Sequence, residues 1–146
     1  MQSGIFHLAL PVDDLDAAAI FYGDVLGCRR GRSSSHWIDY DFGSHQLVVH
    51  KVEKGDMPVV ATNPVDDEQV PASHFGLVLP WDDFDALLSR LQSNRIDYAI
   101  DPHTRFAGRR GEQRTCFVRD PAGNYLEFKC FRHPEMLFAT DGLDYP

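Results

Sequence analysis

The 146-residue chain has no run near the roughly 18 uninterrupted apolar residues that a membrane helix requires. Its opening residues, "MQSGIFHLAL", lack a basic stretch followed by a long apolar one, so no secretory signal is expected. Cysteine is scarce. Cys28, Cys116 and Cys130 are odd in number and have no CxxC spacing, which indicates neither a disulfide framework nor a zinc knot. Positive charge is also short: 14 Lys and Arg stand against 22 Asp and Glu, a net −8. That balance argues against nucleic-acid binding, which needs a basic surface to release phosphate counterions. Neither a P-loop, a dinucleotide fingerprint nor a nucleophile–base pair is present. What remains is 43% hydrophobic and 25% charged, an ordinary globular composition for one domain. The expectation is a soluble cytoplasmic protein whose partner is a small molecule.

One pattern occurs twice. "HLALPVDDLDA" begins at His7 and "HFGLVLPWDDFDA" at His74, with two extra residues before the second acidic cluster. Such self-similarity indicates a duplicated unit. In the first copy, residues 5–11 alternate as a strand, and Asp13 or Asp14 is placed to cap a helix with Leu15, Ala18, Tyr22 and Leu26 at helical spacing. Strands are expected at 28–33, 37–42 and 45–52, with Gly43-Ser44 as a tight turn. The second copy repeats this with a strand at "SHFGLVLP", a helix capped by Asp82 or Asp83, and strands at 97–101, 114–120 and 125–131. Residues 102–113 read as a polar, Arg-rich loop, 53–71 as a linker, and 132–146 as a short helix or a disordered tail. The fold expected is α+β, with two βαβββ modules at about 5–52 and 72–131 in a single domain. One module is too small to bury both faces of its sheet, so the curved sheets would form a cupped cavity. Sheet edges and Phe138 offer surfaces that a homodimer would cover.

Strand alternation then selects site residues. His7 and His74 open the first strands, and Glu127 lies in the last strand of the second copy. Gln46 holds the matching place in the first. Two imidazoles, a carboxylate and a weaker amide oxygen suit one divalent first-row ion and leave positions for water and substrate oxygens. Taken singly, a strand histidine is more often a satisfied core or edge residue, and a glutamate between leucine and phenylalanine more often faces solvent. The repeat shifts that balance. His50 shares the Gln46 face and could replace a ligand, although a surface role fits it as well. Arg105 and Arg109, with Arg110 and His103, could form an anion-recognising lid over the cavity or a plain solvated loop.

"HLALPVDDLDAAAIFYGDVLG", "SHFGLVLP" and "FVRDPAGNYLEF" resemble the vicinal oxygen chelate superfamily, which includes glyoxalase I, extradiol dioxygenases and the fosfomycin- and bleomycin-resistance proteins. The resemblance covers about residues 5–131. It implies the paired-module, glyoxalase-like fold and a metal held from the first and last strands, here by His7, Gln46, His74 and Glu127. Nickel, cobalt, zinc or manganese would accompany a lyase or isomerase that stabilises enediolate-like charge, with Glu127 chiefly a ligand. Iron(II) would accompany an extradiol-type dioxygenase, with His7, His74 and Glu127 as its ligands. A binding or resistance protein without catalysis would need no metal.

Overall fold

The computed structural model describes residues 4–140, which form two compact units. The first runs through Ala61 and includes Asp120–Asn124; the second runs from Thr62 to Arg119 and resumes at Tyr125. In the first unit the order is β1 (His7–Val12), α1 (Leu15–Ala19), β2 (Arg29–Ser33), β3 (Trp37–Phe42) and β4 (His45–Lys51). Its sheet has the order β1-β4-β3-β2, with β1 parallel to β4 and the other pairs antiparallel. Helix α1 starts where Asp14 Oδ1 accepts the amides of Asp16 and Ala17 at 2.9 and 3.0 Å, satisfying donors the first turn leaves open. It continues as a wider, π-type turn over Ile20–Val25, in which Phe21, Tyr22 and Val25 are buried. Gly27, at φ 75°, then releases the chain into β2.

The buried Tyr22 hydroxyl donates to Asp120 Oδ2 at 2.8 Å. Asp120 Oδ1 accepts the amides of Ala122 and Asn124, and the Asn124 side chain reaches Pro11 O at 2.9 Å. The expected turn at 121–124 is therefore a ligated loop that anchors the middle of this unit's core. Burial, and the Asp120 carboxylate beside it, push the Tyr22 phenol well above its usual value, so it remains a donor.

The second unit repeats the plan: β7 (Phe75–Leu79), α2 (Asp83–Ser93), β8 (Tyr98–Arg105), β9 (Gln113–Arg119) and β10 (Tyr125–Phe131). Its sheet order, β7-β10-β9-β8, matches the first, again with a parallel first–last pair. Both units are thus βαβββ modules and the fold is α+β, as the repeat implies. Alternation sorts the sheet cleanly. Leu126, Phe128 and Cys130 are buried on one face, where Arg114 of β9 meets Asp85 of α2 and stacks over Phe84 at 4.6 Å. Thr115, Phe117, Glu127 and Lys129 occupy the other face.

Two segments differ from expectation. Residues 53–71, read as a linker, carry a helical turn at Lys54–Asp56 and a hairpin of β5 (Thr62–Val65) and β6 (Glu68–Pro71). Pro64 and Pro71 lie within those strands, and proline is confined to edge strands, which conceals a hairpin in a sequence reading. The Arg-rich loop is also shorter than expected, because β8 continues to Arg105. In the tail, a 3-10 turn spans Pro134–Phe138, and residues 141–146 lie outside the described residues. Among the described residues no helix is long and apolar enough to cross a membrane.

Candidate metal centre

In the first unit, β1 and β4 set His7 directly beside Gln46. Gln46 Oε1 lies 2.8 Å from His7 Nδ1, and Gln46 Nε2 donates to Asp39 Oδ2 at 3.4 Å. An amide oxygen only accepts, so His7 Nδ1 carries the proton and the imidazole lone pair is left on Nε2. Asp39 is buried and is itself held by Arg32 Nε at 3.2 Å. The ligand candidates of this unit are thus oriented from behind by a buried carboxylate.

The second unit holds its pair differently. Glu127 Oε2 lies 3.3 Å from His74 Nε2 and 3.3 Å from Lys129 Nζ, while Oε1 accepts the Thr115 hydroxyl at 2.7 Å. His74 Nδ1 donates to Pro71 O at 2.6 Å, and the ring meets Phe117 edge-on at 5.1 Å. Burial pushes the Glu127 carboxyl up, but the His74 hydrogen bond, the Lys129 charge and the Thr115 hydroxyl together bring it down to about 2. The hydrogen bond to Glu127 in turn raises the His74 imidazole, against the opposing effect of burial. Nearby Cys116 is pushed up to about 12 by burial and then by the Glu127 charge, so it stays a thiol and offers no thiolate ligand.

The two histidines are not register equivalents. His7 faces Gln46, but the residue facing Glu127 is Gly76. A Cβ on Gly76 would come within 1.6 Å of Glu127 O, so the chain lies too close there for any side chain. His74 stands two residues earlier, on the same alternation, and its imidazole reaches the carboxylate from there. Those two residues are the extra pair in the second motif. The offset overturns the expectation that both histidines occupy one place in the repeat, while leaving each beside its oxygen donor.

The remaining candidates separate. Arg105 lines a cavity of about 230 Å³ in the second unit together with His74, Thr115, Phe117, Glu127 and Lys129. Its guanidinium is tied to Asp66 at 2.5 Å. Arg109 lies in the exposed loop after β8, its amide donated to Phe106 O, and does not line that cavity. His50 is exposed near the end of β4, paired across the sheet with Trp37 and Pro11. Asp39, Thr115 and Lys129 were not selected from the sequence, although antiparallel pairing with the ligand strands places them on the ligand face. The described residues contain no ready cluster of three or more His, Cys, Asp or Glu side chains.

The donor chemistry of the second unit fits a cation. With Nδ1 committed to Pro71, a neutral His74 turns its Nε2 lone pair towards an ionised carboxylate, and only a proton or a metal between them makes that approach favourable.

Known proteins agree with this arrangement. Among solved structures the chain is similar to a glyoxalase/bleomycin resistance protein/dioxygenase from Alicyclobacillus acidocaldarius, at 34% identity and a TM-score of 0.77, covering 94% of this chain and 100% of that one. Lactoylglutathione lyase from Agrobacterium tumefaciens shares the fold at 24% identity and a TM-score of 0.61, covering 88% and 93%. A fosfomycin resistance protein from Listeria monocytogenes does so at 15% and 0.69, covering 94% and 100%. Comparison with proteins of curated function gives no match. The family model of the Glyoxalase/Bleomycin resistance protein/Dioxygenase superfamily matches residues 4–128, and with two modules of one topology beneath that match the chain belongs to this superfamily.

Proposed function

We propose that the chain is an enzyme using one divalent ion, nickel, cobalt, zinc or manganese, and acting as a lyase or isomerase on a small substrate held through vicinal oxygens. The observation that carries this reading is the His74–Glu127 contact, in which Nε2 and Oε2 lie 3.3 Å apart while Nδ1 is fixed by Pro71. His74 and Glu127 would hold the ion from the second unit, and His7 and Gln46 from the first. When bound, the ion supplies Lewis-acid polarisation of the substrate oxygens.

The chain's own residues do the rest. Glu127, brought down to about 2, is a weak base at neutral pH and suits holding a cation better than taking a proton from carbon. Thr115 fixes the other carboxylate oxygen, so Glu127 keeps one orientation. Phe117 and Val70 make the wall beside the pair apolar and limit water there. The Lys129 ammonium places positive charge where negative charge would develop on the substrate. Free Cys28, Cys116 and Cys130 suit a reducing cytoplasm, and the exposed Phe138 suits a face covered in a homodimer.

A second reading rests on Gln46. Its amide is held at both ends, by His7 and Asp39, which suits a residue that positions His7 rather than one that binds metal. His7, His74 and Glu127 would then be the two-histidine, one-carboxylate set of a ferrous dioxygenase.

Metal analysis of untagged protein, with reconstitution by single ions, separates these readings. About one equivalent of nickel, cobalt, zinc or manganese, lost in His74→Ala and in His7→Ala with circular dichroism unchanged, is the expected result. Selective uptake of ferrous iron favours the dioxygenase. Failure to take up any ion, or unchanged stoichiometry in His74→Ala, sinks the site.

A further inference from the structure

The hairpin that replaces the expected linker has two ties to the second unit's cavity. At its base, Pro71 O accepts the His74 Nδ1 proton. At its tip, Asp66 Oδ2 accepts from Arg105 Nε at 2.5 Å. Between them, Val65 and Val70 line the cavity opposite the sheet residues Ile100 and Phe117.

Sheet register places Arg105 relative to the ligand pair. Phe117 of β9 pairs with Glu127, Thr115 with Lys129 and His103, and Gln113 with Arg105. From the Glu127 row to the Arg105 row is four residues along β9, about 13 Å at the rise of an extended strand. Part of that span is covered by the arginine side chain itself. A molecule of several carbons, with oxygens at His74 and Glu127, would therefore bring its far end to Arg105.

The tip has a feature that the hairpin alone does not need. Both turn residues, Asp66 and Asp67, adopt left-handed backbone, at φ 48° and 66°. Two-residue turns of this kind favour Asn-Gly, and an aspartate pair there adds steric strain and two neighbouring negative charges. In return Asp66 presents its carboxylate to an arginine that faces the cavity and is only 23% exposed. Arginine forks accept carboxylate or phosphate from a ligand as readily as from aspartate.

We propose that Arg105 determines specificity by binding a second oxyanion of the substrate, a carboxylate or phosphate remote from the chelating oxygens, and that Asp66 occupies Arg105 until that group displaces it. Substrate binding then frees the hairpin tip. The substrate class rests on the metal-chelate reading above, whereas the exchange at Arg105 does not.

Two measurements test this separately. In metal-loaded protein, calorimetry compares 2-hydroxyglutarate and 3-phosphoglycerate with 2-hydroxypentanoate, which has the chelating end but no distal anion. At least tenfold tighter binding of one distal anion is expected, and which one binds tightly identifies carboxylate or phosphate. Arg105→Gln should abolish that preference and Asp66→Asn should enlarge it. Equal affinities for all three acids, or a preference that survives Arg105→Gln, overturns the proposal.

In chelator-treated protein, inorganic phosphate should raise amide hydrogen exchange in residues 66–70 at least threefold. It should leave Arg105→Gln unchanged. No phosphate response in the original chain overturns the exchange at Arg105, whatever the metal analysis shows. A phosphate response in protein that takes up no metal retains the exchange and removes the chelate reading.

Discussion

The two modules share a topology and build their half-sites by opposite means. Gln46 and Glu127 hold the same register position, and so do the residues behind them, Asp39 and Thr115, each two residues before the direct partner on the neighbouring strand. Asp39 accepts from the Gln46 amide, while Thr115 donates to the Glu127 carboxylate. The supporting group changes polarity with the group it supports, so the first module carries its negative charge one residue behind the second. Opposite the oxygen donors the contrast is larger: His7 stands beside Gln46, and Gly76 beside Glu127. Duplication conserves the sheet, and side-chain chemistry diverges wherever hydrogen-bond complementarity can be kept.

Gly76 is where the comparison breaks most readily. Gly76→Ala would force the β7 or β10 backbone to move, since its Cβ would meet Glu127 O at 1.6 Å, and about 3 kcal/mol of stability should be lost. His7→Ala, at the register position that matches it, should cost under about 0.5 kcal/mol, because His7 is exposed at the sheet's edge. Urea unfolding of both variants checks this. Equal midpoints would mean that the close approach of β7 to Glu127 is not a constraint.

This asymmetry also marks the limit of what the sequence discloses. Repeated patterning at His7–Ala17 and His74–Ala86 makes the βαβββ plan legible, because alternation and cap residues are local signals. Glu127 is legible for the same reason, from its place in a strand between buried neighbours. The two-residue shift of His74 is not, since register depends on which backbone comes close to which, and only the paired strands show Gly76 at that point. Thr115 and Asp39 escape similarly: each is significant only through the strand beside it. The hairpin at 62–71 escapes because its prolines and its Asp-Asp turn contradict the residues that usually announce one.

Protonation probes the His74–Glu127 side next, in protein stripped of metal. Glu127 sits at about 2 against an ordinary 4.5, so the stabilisation it contributes is complete above pH 4.5 and is lost as pH falls towards 2. That limb is worth about 3 kcal/mol. His74 is raised from 6.5, so its share is complete below pH 6.5 and is lost as pH rises through its higher folded value. These are two views of one contact. Stability against pH should therefore contain a maximum between 4.5 and 6.5 that disappears in Glu127→Gln. A maximum of the same height in that variant would place the effect elsewhere. Metal competes with the same proton, so affinity should weaken as pH falls through the raised His74 value.

The smallest effect is the sharpest test of the inverted support. Gln46→Glu would make the first half-site resemble the second, but the new carboxylate would face Asp39, which can accept a hydrogen bond and cannot give one. Two like charges at that spacing should cost about 1 kcal/mol despite Arg32 nearby. Asp39→Thr alone should also destabilise, by removing the acceptor for the Gln46 amide and the partner of Arg32. Combined, they reproduce the Glu127–Thr115 pairing, and the hydroxyl again donates to a carboxylate. A double-mutant cycle by urea unfolding should therefore show favourable coupling of about 1 kcal/mol, with Gln46→Glu/Asp39→Thr more stable than the sum of its parts. Additive changes would mean that Asp39 serves Arg32 rather than Gln46, and that the likeness between the two halves ends at the backbone.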